Sequence, residues 1–194
     1  TFSENDSRLL GILDANVVSA FAGEYFAKVN DRRMSGKGDR IPVGLPSAHG
    51  GVCYALACNG TKAAVPGLLA AIAKDRILPP DALCAYDLPR IALLAIAVRD
   101  PWQGVDDWLV DQLDYDRPLV TNVDPTPDLS ATAAAILCNR RKLAPHSFNL
   151  QIVEEMFCET IGLQLYRMSD DANREAVRKA IRAEFGSRQR VPAG

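Results

Sequence analysis

Apolar positions recur at helical spacing along most of the chain, and prolines, glycines and aspartates mark the breaks. The clearest punctuation lies at 87–113, DLPRIALLAIAVRDPWQGVDDWLVDQL. Asp87 stands where an N-cap belongs and Pro89 falls in the first turn, where its missing N–H costs little. Ile91, Leu94, Ala95 and Val98 follow at helical spacing. Asp100-Pro101 ends that helix and opens another, in which Val105, Trp108, Leu109 and Leu113 form an apolar stripe. Asp107, Asp111 and Asp114 occupy a different face, so the spacing predicts a helical hairpin that buries Trp108.

The same periodicity predicts a first helix over Ser7 to Arg33, carried by Leu9, Leu13, Val17, Phe21 and Val29, with Gly11 and Gly23 as weak points. Two prolines and three glycines keep 41–51 irregular, and an apolar helix starts at Gly51 and closes at Asn59-Gly60. Thr61 to Asp75 is a further helix interrupted by Pro66, with Val65, Leu68, Leu69 and Ile72 inward. Asp114 to Asp128 is a polar connection that caps the next helix, which starts at Leu129 or Ser130 and ends in Arg140-Arg141-Lys142, where cations favour the dipole. Ala144-Pro145-His146 reads as a turn, and Phe148 to Gly162 as a helix. Leu163 to Arg167 alternates and reads as a short strand, with further strand content at Ile41–Val43 or Leu119–Val123. Ser169, aided by Asp170 and Asp171, caps a last helix whose buried stripe is Val177, Ala180, Ile181 and Phe185 and whose end is Gly186. The fold class expected is all-α with little or no strand: irregular helix pairs stacked as a solenoid-like or compact bundle. It forms one helical domain over 1–186 with a sub-boundary near 35–47, followed by a flexible tail at 187–194.

A chain of 194 residues, 48% of them hydrophobic, can bury one core or two small ones. Its net charge of −2 gives no global reason to expect nucleic acid or an anionic membrane as partner, and no run of 18 apolar residues forms a membrane span. Cys53, Cys58, Cys84, Cys138 and Cys158 are odd in number, lack a CxxC pair and lie in apolar contexts, so reduced thiols in a cytoplasmic protein are expected. The chain begins without Met, and an excised or processed piece is part of that expectation. Asn5-Asp6-Ser7 and Asn59-Gly60-Thr61 match the glycosylation sequon.

Candidate chemistry gathers at His49-Gly50-Gly51-Val52-Cys53-Tyr54. A cysteine in the first turn of a helix gains thiolate character from the dipole and the unpaired N–H groups, as a nucleophile requires. This segment resembles the Gly-Gly-x-Cys of arylamine acetyltransferases and the Gly-Val-Cys of transglutaminase-like thiol enzymes, and Asp124-Pro125-Thr126 is similar to the latter's aspartate segment. The resemblance implies a thiol acyltransferase or hydrolase. Those families place a histidine between the cysteine and the aspartate; His146 lies beyond Asp124, leaving a pair of Cys53 with His49 or His146. His49-Gly50-Gly51 with Cys53 to Leu56 also resembles the α/α-toroid prenyltransferases and terpenoid cyclases, which implies a toroid fragment binding an apolar ligand. Over 61–113, Leu68 to Asp75 matches Leu93 to Asp100 at an offset of 25 residues. That pattern resembles helical repeats of the HEAT kind and implies stacked helices that share a core.

Charged groups complete the candidates. Arg174, Arg178 and Arg182 form a basic stripe for a polyanion, with Glu175 and Lys179 as an i, i+4 pair. Arg32, Arg33, Lys37 and Arg40 beside Gly36 and Gly38 suit a phosphate, although the glycines match no P-loop. Asp111, Asp114, Asp116, Asn122, Asp124 and Asp128 offer oxygen ligands for calcium, without EF-hand spacing. Taken together, these features lead to a non-catalytic interaction or scaffold module with a protein partner, acting as a subunit or domain of a larger assembly. No cofactor and no metal site are expected. A Cys53 enzyme and an apolar-ligand toroid fragment are the alternatives.

Overall fold

The computed structural model describes residues 45–75, 87–120, 124–154, 162–168 and 170–186. The expected first helix, the basic cluster Arg32 to Arg40, the strand at Ile41–Val43, Cys84, Asn122, Cys158, Ser169 and the tail lie outside the described residues. Six α-helices are present among the described residues: α1 (Leu45–Asn59), α2 (Val65–Asp75), α3 (Leu88–Arg99), α4 (Val105–Gln112), α5 (Leu129–Arg140) and α6 (Asp171–Gly186). Two short 3-10 helices, Lys62–Ala64 and Pro145–Phe148, and one antiparallel pair, β1 (Leu150–Glu154) and β2 (Leu165–Met168), join them. The described residues are therefore mainly helical with one small sheet, so the all-α expectation with little or no strand holds in part.

Contacts divide the chain into two compact units, the first running to Trp102 and taking in Gly162, the second holding the other described residues from Gln103 on. The break at Asp100-Pro101 thus falls at a unit boundary, α3 and α4 belong to different cores, and Trp108 is half-buried.

In the first unit α3 is the central helix, with α1 and α2 packed on it. Arg90 through Ala97 are all buried, so α3 is enclosed on every side instead of along one stripe, and Val98 is 47% exposed. Asp87 occupies the N-cap position, but its side chain accepts from Arg90 Nη1 at 2.8 Å, not from a helix N–H. Helix α1 begins at Leu45, well before the expected Gly51, and continues through Gly50 and Gly51. Cys53, Leu56 and Ala57 are fully buried, and that burial outweighs the roughly 1 kcal/mol that each interior glycine costs. Pro66 marks the start of α2, where proline belongs, instead of a break within it. Val65 and Leu68 of α2 are buried, while Leu69 and Ile72 are half-buried.

The second unit is built round α5, buried from Leu129 to Cys138, with α4, α6 and β2 against it. Strand β2 matches the expected extended piece to within two residues, whereas its partner β1 lies where a helix is expected. The pair runs Leu150 against Met168 to Ile152 against Tyr166, with a bulge before Glu154. Helix α6 starts at the cap Asp170, whose Oδ1 accepts from Asn173 N at 2.6 Å. It buries Val177, Ile181 and Phe185, and Ala180 is exposed.

Candidate functional site

The candidate residues fall at three places in the fold. Cys53 sits in the third turn of α1, fully buried, and not at the helix N-terminus. The helical N–H groups there are already bonded along the ladder, so the dipole argument for a thiolate does not apply. His49 is on the helical backbone of α1, with its side chain outside the described set, and His146 is exposed in the 3-10 turn Pro145–Phe148 of the other unit.

A second cysteine, Cys58, lies at the end of α1 beside Tyr54 and Arg99. Burial pushes its thiol up, with a hydrogen bond to Tyr54 and the Arg99 charge opposing that shift. Arg99, whose own pKa is lowered by burial, donates to the C-terminal carbonyls of α1, Ala57 O at 2.5 Å and Leu56 O at 3.2 Å, and to Gly60 O just beyond the helix at 3.4 Å. It is a cation on the negative end of a helix. Gly60 closes that helix because a Cβ there would stand 2.5 Å from Leu56 O, a close approach only glycine allows. At the other end of this junction Asp100 accepts from Lys62 N at 2.9 Å, with Lys62 Nζ 3.5 Å away. The Lys62 N–H holds the Asp100 carboxyl below its ordinary range.

The third place is a polar cluster where the start of α5 meets β2 and α6. Asp128 caps α5, its Oδ1 accepting from Ala131 N at 2.7 Å and Ser130 Oγ at 2.9 Å. Its backbone N donates to Tyr166 O at 2.9 Å, and Thr132 Oγ1 accepts from Tyr166 N at 3.0 Å. The outer edge of β2 is thereby closed by the start of α5. Next to this cap the arginine stripe of α6 meets the turn that follows α4. Arg174 Nη1 lies 2.6 Å from Asp116 Oδ1 and Arg174 Nη2 3.8 Å from Asp128 Oδ2; Arg178 pairs with the same Asp116 oxygen, and Arg182 with Asp114. The stripe proposed for a polyanion is thus paired with carboxylates of the chain itself.

No family model matches the chain, and no curated protein or solved structure matches it either.

Asp124 and Asp128 of the acidic set go different ways: Asp128 is the buried cap, and Asp124 is exposed before a cis Pro125. Among the described residues no group of three or more His, Cys, Asp or Glu is placed to hold a metal ion, and no helix is long and apolar enough to cross a membrane. Arg140 Nε bonds Asp106 Oδ1 at 2.5 Å, and Arg141 stacks over Phe185 at 4.6 Å, so two of the three basic residues at the C-terminal end of α5 tie neighbouring elements together. Sequence reasoning read the connection from Asp114 to Asp128 as the cap of α5 but missed Arg99 as a junction residue, and missed that Asp128 also joins α5 to β2. An arginine before the Asp-Pro stop, and an Asp-x-Ser-x-Thr run opening an alanine-rich helix, are the signals that point to them.

Proposed function

We propose that this chain is a non-catalytic helical interaction module acting within a larger assembly. The observation that supports the reading is that the candidate nucleophile and the basic stripe are engaged in the fold: Cys53 in the core, and Arg174, Arg178 and Arg182 on internal carboxylates, with Arg99 on a helix end. The packing of α2 on α3, the two helices with the matching Leu-Leu-Ala pattern, supports stacked helix pairs. Strand β1 supplies a surface for a partner. It pairs only with β2 among the described residues, and its Ile152 is 47% exposed.

The test compares two variants of the full chain for retention of a partner identified by mass spectrometry. Ile152→Asp is expected to lose that partner at least tenfold, while Cys53→Ala keeps it. Retention by both, or loss only with Cys53→Ala, contradicts the reading.

A further inference from the structure

We propose that the turn bearing Asp114 and Asp116 is a displaceable internal anion covering a site on α6 for a linear oligophosphate. Arg174, Arg178 and Arg182 come one per turn from one face, so their charges advance by about 6 Å at each step. Their outside partners come mainly from a single short turn, and the two sides of the contact are exposed unequally. The Asp114 and Asp116 side chains are 60% and 56% exposed, whereas Arg174 and Arg178 are 17% and 14% exposed. Arg174 and Arg178 are built into the fold, Arg182 is 42% exposed, and the acidic side faces solvent. A solute anion can therefore reach the carboxylate positions without lifting Val177, Ile181 and Phe185 from the core.

The pairing also leaves donor capacity over. One oxygen of Asp116 accepts from both Arg174 and Arg178, and Arg178 Nε is buried with no hydrogen-bond partner in the structure. A phosphate group presents three strong acceptor oxygens, and guanidinium forks bind it bidentately, so it offers Arg178 more than the one Asp116 oxygen, while Arg174 also has Asp128 Oδ2 at 3.8 Å and Ser130 Oγ at 3.4 Å. Exposed carboxylate partners are individually weak and screened by salt, which permits exchange.

The experiment titrates inorganic tripolyphosphate into the full chain and into Asp114→Asn/Asp116→Asn by calorimetry at low ionic strength. Binding at least tenfold tighter in the double variant is expected, and adding Arg178→Gln and Arg182→Gln abolishes it. Equal or weaker binding by a folded double variant overturns the proposal. Should that variant fail to fold, hydrogen exchange of the unmodified chain decides. Residues 113–117 are expected to exchange faster with tripolyphosphate than with sodium sulfate at the same ionic strength. Unchanged exchange, or equal acceleration by sulfate, overturns the proposal.

Discussion

Helices α3 and α5 are each 12 residues long, rich in leucine or alanine, and buried over eight and ten successive positions respectively, yet their N-termini are managed in different ways. A helix enclosed on all sides has little water to satisfy its first N–H groups, so the sequence must bring polar partners inside. At α5 these are Asp128, Ser130 and Thr132, all buried, which bond the helix and the edge of β2 together. At α3, Pro89 removes one donor, and Asp87 turns away from the helix N–H groups to pair with Arg90, their side chains 6% and 7% exposed. The α5 end is a shared network of neutral and charged groups, while the α3 end holds the buried ion pair of Asp87 with Arg90. The two should break differently.

Arg90→Ala takes one partner from that pair and is expected to cost about 3–5 kcal/mol, more than the double change Arg90→Met/Asp87→Leu, as read by urea denaturation. Asp128→Ala removes the cap of α5 and an acceptor for β2, with an expected loss of about 2 kcal/mol and faster exchange at Tyr166 and Met168. Gly60→Ala drives a methyl group onto Leu56 O and is expected to cost about 1–3 kcal/mol in the first unit alone. The smallest effects are in pH dependence and fall one in each unit. Burial pushes the Cys138 thiol of α5 up to about 11, so its contribution is complete below about pH 8.5 and is lost as pH rises towards 11. Asp100, held below the ordinary carboxylate range, contributes fully at neutral pH, and this is lost as pH falls below about 4. Thermal melts of Cys138→Ala and Asp100→Asn against pH should flatten the alkaline and acid limbs respectively.

Local signals made much of this legible. Asp87-Leu88-Pro89 and Asp100-Pro101 bracket α3, and the apolar stripe of Val105, Leu109 and Leu113 marks α4, which begins at Val105 after the left-handed Gly104 and not at the Asp100-Pro101 break. The start of α5 and the extended run at β2 were equally readable, because capping and alternation act within a few residues. Strand β1 was not, since Leu150, Ile152 and Val153 suit either period and the choice is made by pairing with β2. The glycine pair before Cys53 read as a break, but packing of α1 on α3 carries the helix through it. The arginine stripe was visible as a stripe, but its partners are 58 to 68 residues away in sequence, and no local pattern names them.

Peptide-resolved alkylation of the native chain with iodoacetamide, followed from pH 5 to 9 and then through urea unfolding, tests most directly whether Cys53 is part of the core. The account predicts that Cys53 and Cys138 stay unlabelled until the chain unfolds globally, while the half-buried Cys58 labels slowly and only towards alkaline pH. Fast labelling of Cys53 in the native state near pH 7, ahead of the other thiols, would contradict it and make Cys53 a nucleophile.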